Sequence, residues 1–418
     1  MERFSACETL SKNQVSGNNR FSIEYLSVSS FEEAKILFGK ISKQERLWRG
    51  EKYFNAILKS SRSRLGIGEH DRAEAYIFGN GAFPEGDKKS HERHFPIPVK
   101  VMTIDELYLS PFEVLDLSTT AEEFPWDVGH REIYVYLVVK KLMISPECKL
   151  LVKDNVFVMD CLQAMGNHLK GKQAIIELRG TNSKQPGTLE IETSMNRTKK
   201  NGENGRDADP LKQESTPLGT RWVQGTIKNK GQNGTDGEKG FDGTKGVNGG
   251  MLLLSDIRFG QLNGFLNNSI KIVARAASGL PGTNGGSGSN GGNGGNGASG
   301  ALTTFGLVEG CEGGSGGRGG DGGKGGKGGN GGLCSDIFVS IPHRKSHIFD
   351  IQTFESPGGN GGIGGIGGIG GKKGRSGDYY NDKNAPLRSK DGKDGAKGVS
   401  GSNGKTRPAP KIHIYENN

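Results

Sequence analysis

Few side chains in this sequence stand at spacings that support chemistry. His91 and His94, three residues apart in Ser90-His91-Glu92-Arg93-His94-Phe95, could set two metal ligands side by side on a helix, but no HExxH or paired cysteine downstream completes a site. A solvated loop is the simpler expectation there. Gly404-Lys405-Thr406 ends like a phosphate-binding loop, yet Val399 stands where that motif needs its first glycine, and no strand and helix frame it. Gly319-Gly320-Asp321-Gly322-Gly323 has the residue types of a calcium-binding nonapeptide repeat, without its alternating apolar residue and with a period of three rather than nine. Cys7, Cys148, Cys161, Cys311 and Cys334 are too scattered for a disulfide scaffold and form no CxxC pair. A polysaccharide-cleaving enzyme would need carboxylates converging in a cleft, and the sequence does not align Asp154, Asp160, Glu177 and Glu190 into one. The expectation is a chain with no catalytic residues, no metal site and no cofactor.

Binding residues are easier to nominate. Arg344, Lys345 and His347 lie in a short basic turn, Ile341-Pro342-His343-Arg344-Lys345-Ser346-His347, suited to a carboxylate or sulfated glycan, or simply to solvent. Tyr379 and Tyr380, beside Asp378 and Asn381, would suit a sugar-stacking or protein-contact tip. Ile363, Ile366 and Ile369 recur every third residue as an apolar stripe that either packs on an adjacent sheet or meets another subunit or receptor. The formal charge is +9, and all of it lies in the glycine-rich second half. There the cations are interspersed with Asp and Gly and aromatics for base stacking are scarce, so nucleic acid is not an expected partner.

The elements that position these residues follow two different rules. Residues 1–195 hold 13 glycines and 196–418 hold the other 58, while the hydrophobic fraction is only 32%. In the first part, Ser30 with Glu33 forms a capping-box start, and Ala34, Leu37, Phe38 and Ile41 continue at helical spacing, predicting a helix from about Phe31 to Gln44. From Ile133 onward short β-rich runs follow one another closely: 133–139, 149–152, 156–159, 174–178 and 189–192, then 251–259, 270–274, 337–341, 348–354 and 411–415. No secretory signal follows Met1, and the longest apolar run, Ile133 to Val139, falls far short of the ~20 residues a membrane helix needs. A soluble chain is expected, extracellular or particle-associated by a non-classical route.

Between the later strands lie glycine tracts in register modulo three: Gly231 to Gly249, Gly279 to Gly300, Gly310 to Gly331, Gly359 to Gly377 and Gly392 to Gly404. An extended left-handed helix with three residues per turn and ~3.1 Å rise puts every third residue on one face and makes no hydrogen bonds within itself. Collagen needs one glycine per triplet and draws rigidity from proline, but Pro281 is the only proline inside these tracts. Tract 313–332 carries two glycines per triplet, which suits a polyglycine II helix among neighbours, with Ser315, Arg318, Asp321, Lys324, Lys327 and Asn330 facing solvent. Single-glycine triplets at Gly237-Glu238-Lys239-Gly240 and Gly392-Lys393-Asp394-Gly395 leave a collagen-like trimer as an alternative.

Over residues 231–404 this Gly-Gly-X period resembles polyglycine II proteins: the glycine-rich amino-terminal domain of Obg-type GTPases, springtail antifreeze proteins, and the distal tail-fibre adhesins of T-even-like phages. The adhesin resemblance implies rigid rods that present the Gly-poor connections 301–309, 333–357 and 378–391 as a recognition tip. The expected architecture is mainly β: a stacked-strand or β-solenoid body (131–275), preceded by a small mixed α/β domain (1–130), with a polyglycine II bundle and interleaved strands (276–418). The expected function is non-catalytic: a structural or adhesive protein, a homo-oligomer or larger assembly, that meets a surface receptor or glycan. The alternatives are a secreted, possibly insecticidal or pore-forming toxin, which alone would imply membrane contact, a β-solenoid polysaccharide-active enzyme, and a collagen-like trimer.

Overall fold

The fold is a computed structural model, described for residues 11–16, 19–51, 77–79, 95–129, 131–166, 172–182, 200–223, 229–303, 305–381 and 388–417. The first half contributes strands β1 (Ser11–Ser16), β2 (Asn19–Val28), β3 (Ile97–Leu109), β4 (Val114–Asp116), β5 (Tyr134–Ile144), β6 (Lys149–Lys153), β7 (Val156–Gly166) and β8 (Ala174–Arg179). The second contributes hairpin β9–β10 (Gln213–Thr216, Gly219–Trp222), β11 (Ser255–Asn263), β12 (Ile270–Arg275), hairpin β13–β14 (Ala301–Thr303, Gly306–Val308), β15 (Ile337–Pro342), β16 (Phe349–Thr353) and β17 (Ile412–Asn417).

Two sheets result. One has eight strands in the order β1-β2-β3-β5-β7-β11-β15-β17, antiparallel up to β3 and parallel from there. The other has five parallel strands in the order β16-β12-β8-β6-β4. Alternation assigns each side chain to one of two cores. Val135, Leu137 and Val139 join Phe157, Met159, Ile257 and Ile272 between the sheets. Tyr134 and Tyr136 face the other way and pack with Ala34 and Phe38 beneath the helices.

The β-solenoid body with a separate mixed domain in front is corrected by this arrangement. The fold is α/β, a mixed sheet facing a parallel sheet, and no closed solenoid exists among the described residues. The reason is register: β3 runs parallel to β5 from Val99 opposite Tyr134 to Leu109 opposite Ile144, so the amino-terminal strands extend the large sheet instead of forming a body before it. The predicted helix is also shorter. It becomes α1 (Phe31–Phe38) and α2 (Lys43–Arg49), because Gly39 ends the first and the Ser42 hydroxyl accepts from Glu45 N–H to start the second. His91, His94, Glu190 and the 189–192 run lie outside the described residues.

Between strands of the two sheets the chain makes three excursions built from six glycine rods: rod 1 (200–210), rod 2 (229–250), rod 3 (276–300), rod 4 (310–333), rod 5 (356–378) and rod 6 (388–407). Rods 3 and 5 prolong β12 and β16 outward; rods 2, 4 and 6 return into β11, β15 and β17. Two layers form, 1-3-5 and 2-4-6, running in opposite directions. Every rod is tied to its neighbours by backbone hydrogen bonds, as in Gly323 N–H to Gly286 C=O (2.8 Å), Gly365 N–H to Gly323 C=O (2.8 Å) and Gly322 N–H to Ala396 C=O (2.8 Å).

Position decides composition. A Cβ on Gly323 would stand 1.9 Å from the Phe241 carbonyl oxygen of rod 2, and one on Gly322 would stand 2.1 Å from the Gly365 oxygen of rod 5. Beside rod 1, rod 3 needs a second glycine, because a Cβ on Gly292 or Gly295 would meet the Glu203 or Arg206 oxygen at 1.9 and 2.1 Å; towards β12 the same position is Ser289, Gly286, Thr283 and Leu280, so larger residues enter there. The expected outcome is that Gly323→Ala, which forces a rod apart, costs about 1–3 kcal/mol, whereas Lys324→Ala on the exposed face stays within about 0.5 kcal/mol. Thermal melts of the two variants check this contrast.

Candidate functional site

The rods carry the chain away from the sheets and turn it at a common tip. From Ala277 to Ala298 rod 3 covers about 65 Å at ~3.1 Å per residue. Leu211, Ala298 and Cys311, with Ala208, Trp222 and Val308, form a small apolar cluster that ties the tip connections together. Two of those connections are like hairpins, turning at Thr216 to Gly219 and at Thr303 to Gly306. The Thr216 and Thr303 hydroxyls donate to the carbonyls of Gly219 and Gly306 (2.6 and 2.8 Å), and both glycines adopt left-handed backbone, φ 117° and 118°. That conformation requires glycine and projects the residue before it. Leu218 is consequently 84% exposed and Phe305 58% exposed, with Leu302, Leu307 and Tyr379 exposed nearby. Tyr379 is drawn in by its carbonyl, which accepts from Gly310 N–H, and Tyr380 N–H donates to Gly377 C=O.

The five nominated binding residues are not brought together. Tyr379 and Tyr380 sit at this tip. Arg344, Lys345 and His347 lie in the β15–β16 turn, at the end of the sheets remote from the rods, where Arg344 and Ser346 N–H groups donate to the Glu416 carboxylate at 3.0 and 3.1 Å. Hydrogen bonding from the Ser346 side chain foremost, and then from the Arg344 N–H, holds the Glu416 carboxyl below its ordinary range. Of the Gly-poor connections, 301–309 and 378–381 are at the tip, 333–357 is not, and the 211–223 hairpin joins them instead. Ile363, Ile366 and Ile369 lie along the outward side of rod 5, 62–69% exposed. The paired Thr-x-apolar-Gly turns were readable in the sequence; the glycine phase drew attention away from them.

A second concentration of polar groups lies between α2 and the outer face of the large sheet. Arg49, fully buried, donates to both Asp256 oxygens (2.9 and 2.8 Å), to Glu45 Oε1 (3.0 and 2.6 Å) and to Ser340 Oγ (3.2 Å). Arg258 spans Asp256 (3.2 and 2.6 Å), Asp160 (3.1 Å) and the Phe38 carbonyl, and the Tyr136 hydroxyl donates to Asp160. Burial pushes the Asp256 carboxyl up, but the Arg258 and Arg49 guanidiniums outweigh it and hold it far below the carboxylate range. Tyr136 is raised by burial and by Asp160, and burial pushes the Cys161 thiol up to about 12, which leaves it unreactive. An open cleft of about 360 Å³ lies beside Lys40, Asp160, Cys161 and Arg258, and of these Asp160 and Arg258 are already committed to one another. Of the nominated carboxylates that lie among the described residues, Asp154 accepts from Thr181, Asp160 faces the helices, and Glu177 pairs with Lys149 on the other sheet (2.8 Å), so no two of these three converge. Among the described residues no three His, Cys, Asp or Glu are grouped to hold a metal ion. Among them, too, no helix is long and apolar enough to cross a membrane.

No family is shown. No family model matches the chain, and no curated protein or solved structure is similar to it. The site rests on geometry alone.

Two outcomes follow from the buried cluster. Arg49→Met should cost about 3–5 kcal/mol by leaving Glu45 buried without its guanidinium and Asp256 with Arg258 alone. Because the Asp256 pKa is lower folded than unfolded, its contribution is present in full above the unfolded value of about 3.9 and is lost as pH falls below it. Denaturant titrations from pH 7 down to pH 3 should show stability falling only at the acid end, and less steeply in Asp256→Asn.

Proposed function

We propose that the chain is a non-catalytic adhesive or structural protein in which the glycine rods hold apolar fingertips far from the sheets for contact with a surface receptor or a neighbouring subunit. The observation that carries this reading is the pair of like hairpins: each places one large apolar side chain at the apex of a turn, on a support fixed by backbone hydrogen bonds along its whole length. Exposed apolar groups gathered at one end of a molecule mark an interaction site. Their mechanism would be preorganisation. Turns already held in place lose little further freedom on binding, so more of the contact energy appears as affinity. The three isoleucines of rod 5 support a side-to-side contact between subunits in the same reading. An address outside the cell or on a particle accords with it.

The test uses the labelled full chain on intact bacterial and animal cells. Leu218→Ser with Phe305→Ser should leave the melting temperature within about 1 kcal/mol of equivalent stability and reduce saturable cell binding by about tenfold or more. Undiminished binding by the double variant would refute the tip as the contact. Sugar released from polysaccharides by the wild-type chain would refute the non-catalytic reading.

A further inference from the structure

The two broad faces of the rod array differ in charge. In each triplet one residue points outward, and on the 2-4-6 face these residues include Lys239 and Lys245 of rod 2, Arg318, Lys324 and Lys327 of rod 4, and Lys390, Lys393 and Lys405 of rod 6, all exposed. Among the described residues three carboxylates share the face: Asp236, Asp242 and Asp321. Each of these is already engaged, because it accepts the backbone N–H of the next rod, from Arg318 (2.6 Å), Lys324 (2.8 Å) and Ala396 (2.8 Å). The Lys324 N–H foremost, with the Lys239 ammonium, holds the Asp242 carboxyl below its ordinary range, so it stays an anion that serves the lattice. Lys245, Lys324 and Lys327 form no ion pair with any described residue. The 1-3-5 face carries mostly Asn, Ser and Ile outward; of its two cations, Lys372 pairs with Asp391 of rod 6 at 3.2 Å, and the Asp207 and Asp378 carboxylates share the face with Arg375.

We propose that the 2-4-6 face is a binding surface for a linear acidic polysaccharide laid along the rods. Cations on one rod recur at multiples of about 9 Å, three residues of ~3.1 Å rise, and cations on adjacent rods flank them. A flexible chain bearing sulfate or carboxylate on successive sugars can follow such rows, and the flat backbone beneath offers no steric bar. Nucleic acid is disfavoured because no outward residue of this face is aromatic, which removes the stacking that single strands use. A bilayer is disfavoured because Val399 is the one large apolar residue among these outward positions, too little to enter the acyl boundary. The surface lies along the rods, away from the fingertips, and stands whether or not the tip contact is correct.

The experiment is binding of the full chain to immobilised heparin and, separately, hyaluronan, at rising salt. Binding to either that weakens steeply with salt is expected, and the stronger of the two assigns sulfate or carboxylate as the recognised group. Lys324→Glu, Lys327→Glu and Lys393→Glu together should weaken it by about tenfold or more, with an unchanged melt, whereas Lys372→Glu with Arg375→Glu on the opposite face should leave it intact. No binding to either polysaccharide, equal loss in both sets of variants, or tighter binding to duplex DNA or phosphatidylserine vesicles would overturn the proposal.

Discussion

The backbone hydrogen bond between extended chains is the interaction on which the molecule depends. A chain with three residues per turn cannot satisfy its own N–H and C=O groups, so every rod must find partners on its neighbours or leave polar groups unpaired. Three directions radiate from each triplet. Rod 4, surrounded by rods 2, 3, 5 and 6, spends two of them on neighbours and carries two glycines per triplet. Rods 2 and 6, at the margins, spend fewer and keep larger residues such as Phe241 and Val399.

The remaining donors explain the polar composition. On the outward side, N–H groups of one rod are taken by side chains of the preceding rod: Asn284 accepts from Ile363 (2.8 Å), Asn293 from Lys372 (2.8 Å), Asn233 from Ser315 (2.7 Å) and Asn330 from Lys405 (2.9 Å). At the free margin of rod 5 the next rod is missing, and the side chains of Asn403, Ser400, Asp394 and Asp391 on rod 6 accept from Gly361, Gly364, Gly370 and Lys373 instead. The array therefore closes its own margin, in the way a sheet edge must be covered to avoid adding strands without limit. The paired sheets give the rods a common origin: β12 and β16 launch rods 3 and 5 already in parallel register, and β11, β15 and β17 receive the returning rods. The Arg49–Asp256 clamp then holds the helices over the strands that receive two of those rods.

Much of this was legible and some was not. The glycine phase and the two-glycine triplets of 313–332 depend only on local spacing, so they could be read directly from the sequence. Strand runs from Ile133 onward were visible for the same reason. By contrast, the placement of β3 beside β5 is a matter of register between distant segments, and nothing local to residues 97–109 announces it. Arg49 and Asp256 are 207 residues apart, and a charge opposite a charge has no periodic signature. Arg344 and Tyr379 both lie in Gly-poor connections, but one follows a strand and the other a rod, which sends them to opposite ends of the molecule.

The most direct test of this account is amide hydrogen exchange of the full chain, followed by mass spectrometry and repeated at several protein concentrations. If the inter-rod bonds are intramolecular, the glycine amides of rod 4 should be protected to a degree comparable with β7 and β11, independently of concentration. Rapid exchange along rod 4 while β7 and β11 stay protected would contradict the account. So would protection that appears only as the chain associates.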